Sequence, residues 1–347
     1  MLMPVSEKDQ LTVRPYAKGY TAPSRLRLDI KDAHRTRLWV TTSCALLDHL
    51  VVGLMAAGAA WLIVNHPLAS IVPALLAGVV IARQLRALEN LVHEASHYNW
   101  SRHRRRLNDV LGYLLAAAPT GSRISAYRTS HLLHHGRFGT AEDPDRYRYA
   151  ELDMEALPRT SARLFVAGVC TRLLRYQLGW LRELRTNALA PLVALLWSVL
   201  CVGAPTALLL DLRTGAVAAG VWLFAHFLLL PPLRLVAEAD EHVYSDARTV
   251  FDATVSNTGR LQRWLFHPHA DGYHTVHHMW PGIPHHSLSR IHHLLLSEDE
   301  EFARRLRTRD RILTTPGGVA PGGPAREAAT PREPTSPPPS LKIKSSL

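Results

Sequence analysis

Four long apolar runs constrain the fold of this 347-residue chain more than any other feature. The first, CALLDHLVVGLMAAGAAWLIV at residues 44–64, has about the 20 residues that a helix needs to cross a hydrocarbon core of roughly 30 Å. The other runs predict spans at about 67–88, 188–210 and 216–234. A soluble protein would have to hide four such helices in one core. We therefore predict an all-α, polytopic membrane protein.

Short breaks join these four spans into two helical hairpins. The loops at 65–67 and 211–215 hold one arginine between them, although the chain carries a formal charge of +11. Most of the arginines fall in the N-terminal segment, in 99–187 and after the fourth span. Because cytoplasmic loops of membrane proteins are enriched in Lys and Arg, we expect these regions and both termini to be cytoplasmic. No nucleic-acid-binding motif accompanies the charge, so we expect lipid headgroups and no nucleic acid as partners.

The composition predicts three parts. Residues 1–37 are expected to form a loose cytoplasmic segment. Residues 38–315 are expected to form the membrane domain, with a cytoplasmic helical cap. Residues 316–347 are rich in proline and poor in apolar side chains, so they are expected to be disordered.

Histidine motifs lie outside the apolar runs. HEASH, HLLHH and HTVHH repeat histidines at spacings of three and four, which place side chains on one face of a helix. Histidine is 20 of the 347 residues, so one HxxHH pattern would occur by chance roughly 0.07 times per chain, and this chain has two. The nine candidate metal ligands are His93, His97, His131, His134, His135, His242, His274, His277 and His278.

Nine imidazoles are too many for one metal ion and about the right number for two. Imidazole suits zinc, copper, iron and nickel, so the residues alone leave the metal open. Neutral imidazoles would leave the positive charge of the metals largely uncompensated. Carboxylates such as Glu94, Glu238, Asp240 and Glu241 are expected to moderate it from around the ligands.

The motifs together resemble those of the membrane fatty acid desaturase superfamily. The resemblance runs over about residues 40–300 and includes HEASH, HLLHH followed by EDPD, EADEH, and HTVHHMWPGIPHHSLSRIHHLL. It implies a non-haem diiron centre held by the nine histidines. It also implies use of O2, attack on an unactivated C–H bond, and electrons from an external carrier such as a ferredoxin-like protein. An apolar substrate would enter from the bilayer.

Further candidates have supporting roles. Asp48 and His49, inside the first apolar run, are candidates for a substrate tunnel. His285, His286, His292 and His293 follow the last motif and are more typical of residues around a site or at the surface. The candidates for contacts around the metal ligands are Glu94, Asp143, Asp145, Glu238, Glu241 and Asn257.

The motifs leave the reaction open. The leading hypothesis is O2-dependent desaturation of an acyl chain in a lipid or on a carrier. Hydroxylation, or tailoring of a small natural-product substrate, would begin with the same hydrogen abstraction. A non-catalytic zinc-binding protein or a metal transporter is a further alternative, although transport would place ligands within the spans.

Overall fold

The computed structural model of this chain describes residues 19–183, 189–245, 247–314 and 320–321. Most of these residues are helical. The helices are α1 (Arg27–Ala33), α2 (Leu38–Asn65), α3 (Ile71–Ser96), α4 (Arg105–Gly112), α5 (Ala118–Thr120), α6 (Ile124–Arg137), α7 (Pro144–Leu152), α8 (Ala162–Glu183), α9 (Leu189–Trp197), α10 (Ala204–Leu209), α11 (Leu212–Phe224), α12 (Leu230–Glu241), α13 (Val250–Ala253), α14 (Arg260–Leu265), α15 (His274–Met279), α16 (His285–Glu298) and α17 (Glu300–Arg305). Short π-helical segments, Tyr113–Ala117, Ser198–Gly203 and Ala225–Leu229, continue α4 into α5, α9 into α10 and α11 into α12. A 3-10 turn, Ser24–Leu26, precedes α1.

Four helices are long and apolar enough to cross a membrane, as the sequence predicts. They cover Leu38–Asn65, Ile71–Ser96, Pro191–Leu209 and Leu212–Glu241. The first begins six residues before the predicted start, and the second continues to Ser96. The fourth continues to Glu241. The helices outrun the apolar pattern because their polar ends lie within the cap, where side chains such as Asn90 and Asp240 are buried.

The spans pack as two hairpins, and α11 of the second packs on α2 of the first. Asp211 forms the turn of the second hairpin, because its carboxylate accepts a hydrogen bond from the backbone N–H of Thr214 at 2.9 Å and so caps α11. The hairpin turns lie at one end of the bundle. Helix α2 begins, and α3 and α12 end, at the opposite end. The segments that carry the histidine motifs therefore all lie at that opposite end.

Lipid explains the exposed faces of these helices. Leu46, Leu50 and Leu54 repeat along one face of α2 and are each more than half exposed. A water-soluble protein would not leave such a stripe uncovered. In a bilayer the same stripe meets apolar chains, while the backbone polar groups are satisfied within the helix. The protein is thus a membrane protein of all-α class.

A contact between small residues holds the second hairpin together. A Cβ added to Gly215 would lie 2.5 Å from the Cβ of Ala207 and 2.6 Å from the carbonyl oxygen of Gly203. Real side chains do not approach so closely, so the backbones meet here because Gly215 has no side chain.

Gly215→Ala should therefore destabilise the protein by about 1–3 kcal/mol, the usual cost of overpacking a well-packed site. The matched control is Gly220→Ala in the same helix, where an added Cβ meets nothing within 4 Å. This control should be neutral or slightly stabilising because alanine favours helix over glycine. Thermal unfolding in detergent measures both, and equal midpoints for the two variants would contradict the packing argument.

Part of the N-terminal segment is ordered, unlike the loose segment expected from its polarity. Leu26, Ile30 and Ala33 are buried in a second core, together with Leu288 and Ile291 of α16. Beside this core, Arg290 of α16 lies 3.7 Å from Asp29 and 3.6 Å from Asp32. The expectation failed because three apolar residues at helical spacing suffice for docking when a partner face exists. Residues 1–18 lie outside the described residues.

Three short strands, β1 (Ser256–Asn257), β2 (Arg307–Arg309) and β3 (Ala320–Pro321), form a small sheet in the cap. β2 lies in the middle, parallel to β1 and antiparallel to β3. The sheet fixes the chain after α17 beside the end of α12. Of the tail predicted to be disordered, residues 316–347, the structure describes 320–321, and the prediction for the remainder lies outside the described residues.

Candidate metal centre

All nine predicted ligands lie at the cap end of the bundle. Four stretches of chain bring them together: the end of α3, helix α6, the residue after α12, and helix α15. They carry, in that order, His93 and His97; His131, His134 and His135; His242; and His274, His277 and His278. Spacings of three and four residues on short helices aim each set into the same space.

Five imidazoles form the first group: His93, His97, His131, His135 and His277. The Nε2 atom of His131 lies 2.8 Å from that of His93, 2.9 Å from that of His97 and 3.0 Å from that of His135. A ring nitrogen carries either one proton or one lone pair, so it cannot hydrogen-bond three such partners at once. Ring nitrogens this close together are explained if each of them points its lone pair at one shared cation.

His277 closes the same group from α15. Its Nε2 atom lies 2.9 Å from that of His93 and 3.0 Å from that of His135. Each of these separations is about 1.4 times a metal–imidazole bond of ~2.1 Å, as expected for neighbouring ligands at roughly right angles around one ion. The first group therefore fits a metal ion.

Four imidazoles form the second group. The Nε2 atom of His242 lies 3.1 Å from that of His134 and 3.0 Å from that of His274. His278 shares this group with His134 and His242. Its ring also stacks on that of His135 at a centroid distance of 4.2 Å, so the two groups are adjacent. The two adjacent groups, with five and four ring nitrogens, therefore fit a pair of metal ions.

Burial keeps most of these imidazoles neutral and their lone pairs free for a metal. It lowers the pKa of His274 to about 3, with smaller effects from charged neighbours. Burial, reinforced by neighbouring imidazoles, also holds the pKa well below the usual histidine range for His97, His131, His135, His242, His277 and His278. Metal binding at these residues therefore displaces few protons.

Hydrogen bonds at Nδ1 orient several ligands. The Nδ1 atom of His134 lies 3.0 Å from Asp143 Oδ1, and that of His242 lies 3.2 Å from the carbonyl oxygen of Ala253. Such partners turn Nε2 toward a metal and make it more basic. Burial lowers the pKa of His134, but the hydrogen bond to Asp143 and the charges of Asp145, Asp143 and Glu241 together outweigh burial and raise this pKa above its usual value. A cation at Nε2 would be stabilised by the same carboxylate.

Asp143→Asn should weaken metal binding by about 10- to 100-fold, as is typical when an outer partner of a ligand is lost. Asparagine can still cap α7, where Asp143 Oδ1 accepts from the backbone N–H of Asp145 at 3.0 Å. Asp145→Asn is the control, because that carboxylate lies 3.4 Å from His134 and is 43% exposed. Metal retained during dialysis against a chelator measures the effect. Equal retention by wild type and Asp143→Asn would remove Asp143 from this role.

The other residues expected around the ligands lie at different distances from them. Glu241 offers an oxygen within 4.8 Å of nitrogens of His242 and His274. Glu94 accepts a hydrogen bond from the backbone N–H of His285 at 2.7 Å. Glu238 instead accepts from Tyr176 Oη at 2.8 Å and pairs with an arginine.

Two further members of the expected set bond within the cap. The side-chain nitrogen of Asn257 donates to the carbonyl oxygen of Asp240 at 3.0 Å. The carboxylate of Asp240 pairs with Arg159 and Arg309. These contacts fasten the small sheet to α12. For Asn257, a role in holding a metal-bound water stays a prediction.

A buried ionic network beside the first group went unnoticed in the sequence. Asp271 Oδ1 lies 3.5 Å from His93 Nδ1, and Asp271 Oδ2 lies 3.1 Å from Arg86. His267 lies 3.6 Å from both Asp271 and Glu241. Burial lowers the pKa of His267, but the nearby carboxylates of Asp240, Asp271 and Glu241 together outweigh burial and raise the pKa to about 10. The one available sequence signal was Asp271, three residues before His274.

The two tunnel candidates point to different neighbours. Asp48 Oδ2 lies 2.7 Å from Nε2 of His269. His49 Nε2 lies 2.8 Å from the carbonyl oxygen of Leu115, and its ring lies against that of Trp197. Both residues lie on α2 in the half nearer the metal centre. A tunnel role for either stays a prediction.

The chain is similar in sequence to known proteins. The model of the fatty acid desaturase family matches residues 65–309. Dihydrorhizobitoxine desaturase of Bradyrhizobium elkanii is 27% identical over 237 residues, which are 60% of this chain and 64% of that protein. The chain thus matches less than two thirds of the length of this curated relative.

Proposed function

Because the chain belongs to the fatty acid desaturase family, we propose that it is an O2-dependent diiron oxidoreductase. Its reaction is the introduction of a double bond into an acyl chain, in a lipid or on a carrier. An external donor, such as a ferredoxin-like protein, supplies the electrons.

The observation that carries this proposal is the convergence of nine imidazoles into adjacent groups of five and four. All-nitrogen donors with a few outer carboxylates suit iron, and two irons would supply the O2-dependent redox chemistry that removes hydrogen from an unactivated C–H bond. His93, His97, His131, His135 and His277 would hold one iron. His134, His242, His274 and His278 would hold the other.

The rest of the chain positions these ligands and excludes water. Asp143 and Asp271 fix the rings of His134 and His93. An acyl chain would reach the centre from the bilayer between the apolar helices below it, and Asp48 and His49 remain candidates for the wall of that path.

We place the metal-centre end of the bundle, with both termini, in the cytoplasm. The argument is the arginine distribution, since the hairpin turns at the other end are almost free of them. A cytoplasmic centre is also within reach of a soluble electron donor. Cysteines introduced at the hairpin turns and in the cap, and tested with a membrane-impermeant thiol reagent, would establish the orientation.

A second candidate is a hydroxylase or tailoring oxygenase that acts on a small or carrier-bound molecule. The name of the relative favours a small substrate, because it specifies dihydrorhizobitoxine and no lipid. Desaturation and hydroxylation differ in whether a second hydrogen is removed or an oxygen is inserted.

Mass spectrometry of lipids and small metabolites from cells with and without the gene tests both candidates. A product lighter by two hydrogens supports desaturation, and one heavier by one oxygen supports hydroxylation. Metal analysis of the purified protein tests the centre. Two irons per chain are expected, and a single zinc ion without turnover would favour a non-catalytic zinc protein instead.

A further inference from the structure

A second cluster of metal-binding residue types lies outside the nine histidines. It consists of Cys44 on α2, His269 in the loop before α15, and His285 at the start of α16. One ligand atom from each lies within 4.8 Å of the other two. His285 is buried, and the other two are partly buried. None of the three takes part in the centre already described.

Helix α2 contributes one face to this cluster. Thr41, Cys44 and Asp48 recur at spacings of three and four, so their side chains lie in a row. Asp48 Oδ2 lies 2.7 Å from His269 Nε2. Thr41 Oγ1 lies 3.2 Å from His285 Nε2. Each histidine thus has its Nε2 atom engaged by a side-chain oxygen of α2.

This is the arrangement that surrounds histidines bound to metals. A metal-bound imidazole usually donates its other ring nitrogen to a carboxylate or another oxygen, which fixes the ring. We propose that Cys44, His269 and His285 bind a borderline transition-metal ion, zinc in the first instance, with Asp48 and Thr41 as orienting partners. Three protein ligands leave a fourth tetrahedral position for water or another ligand.

The surroundings favour a cation at this point. Asp48 brings a buried carboxylate, and Arg83 pairs with its other oxygen at a longer 3.8 Å. The carboxylate of Asp48 therefore contacts one member of the cluster, where it would partly compensate the charge of a bound cation.

The backbone at His269 is consistent with a ligand that must be held in place. His269 and Ala270 have φ of +54° and +62°, a region that side-chain-bearing residues rarely occupy. Two such residues in sequence cost free energy that the surrounding contacts must offset. With this conformation the ring of His269 reaches Asp48 on α2, five residues before α15 begins.

The donor set distinguishes the two centres. Thiolate is a softer ligand than imidazole or carboxylate and selects zinc or copper, whereas the nine-histidine centre offers nitrogen alone. The centres are nevertheless linked, because the backbone N–H of His285 donates to Glu94, the residue after His93. A metal at Cys44 would fasten α2, the 266–273 loop and α16 to one another beside the diiron ligands.

Cobalt(II) titration of the purified full-length protein tests the site, since a thiolate bound to cobalt gives a charge-transfer absorption that histidine ligands do not. Wild type should show this absorption, and Cys44→Ser should lose it. Cys201→Ser is the matched control, because Cys201 is exposed on the third span, and it should keep the absorption. His277→Ala, which disrupts the nine-histidine centre, should keep it as well.

Zinc affinity gives a second readout that does not depend on the cysteine. His285→Asn keeps the backbone N–H that Glu94 accepts but removes a ligand. This substitution should weaken zinc binding at this site at least about tenfold. Loss of an outer partner of a ligand already weakens metal binding by about that much, so loss of a ligand should have at least this effect. No thiolate absorption in wild type, its persistence in Cys44→Ser, or unchanged zinc affinity in His285→Asn would overturn the proposal. All three results are independent of turnover.

Discussion

Replacing His277 by alanine should abolish turnover and release iron, while the protein still inserts into the membrane. His277 is buried on α15, and its Nε2 atom lies 2.9 Å from that of His93 and 3.0 Å from that of His135. Its loss would open the first group of ligands on the side of α15. We expect a fall in turnover of at least about 100-fold, above the range for loss of an outer partner. His135→Ala should behave in the same way.

His293→Ala is the matched control for this experiment. His293 also follows the last motif, but it is exposed and its Nδ1 bonds to the carbonyl oxygen of Ser289 on the same helix. This variant should keep both iron and turnover. Iron per chain and product formation are measured together on protein purified from membranes. Full activity in His277→Ala or His135→Ala would remove that residue from the ligand set.

Asp240→Asn should have the largest effect on stability. Asp240 is completely buried at the end of α12, where Arg159 and Arg309 both pair with its carboxylate, Arg309 at 2.8 Å. Removing the negative charge leaves two guanidinium groups buried without compensation. Loss of one partner of a buried pair costs about 3–5 kcal/mol. We expect a large fall in the yield of folded protein and in its thermal midpoint.

Asp153→Asn is the control that separates the effect of burial from the effect of losing an ion pair. Asp153 pairs with Arg172 at 2.9 Å but is 65% exposed, so its removal should cost no more than about 1 kcal/mol. Its φ of +49° is one that asparagine tolerates. Thermal unfolding of both variants in the same detergent compares the costs. Similar midpoints would show that the Asp240 pairs contribute little to folding.

The sequence could predict which histidines converge because the geometry of each motif is local in origin. A helix turns His131, His134 and His135 toward one side whatever surrounds it, and the same holds for HTVHH on α15. The apolar runs likewise predict spans, since the bilayer imposes a length. His242 was identified from its position just after the last run, and it bridges His134 and His274 in the second group.

The sequence pattern could not predict contacts that depend on the path of a loop. Asp271 reaches His93 and Arg86 because the chain between α14 and α15 folds back under α3, and no periodicity signals that path. Glu238 was expected near the ligands, but it bonds with Tyr176, one helical turn before Glu241 on α12. Helix α12 continues beyond the predicted fourth span because its polar last turns lie inside the cap.

The order of the ligands along the chain has a consequence for biogenesis. α15 carries three of the nine histidines, and it follows both hairpins in the sequence. The ribosome therefore completes all four spans before the last ligands emerge, so neither group of histidines can be complete during insertion. The metal ions that we propose for these groups would therefore load after insertion, and a cell starved of the metal would accumulate inserted apoprotein.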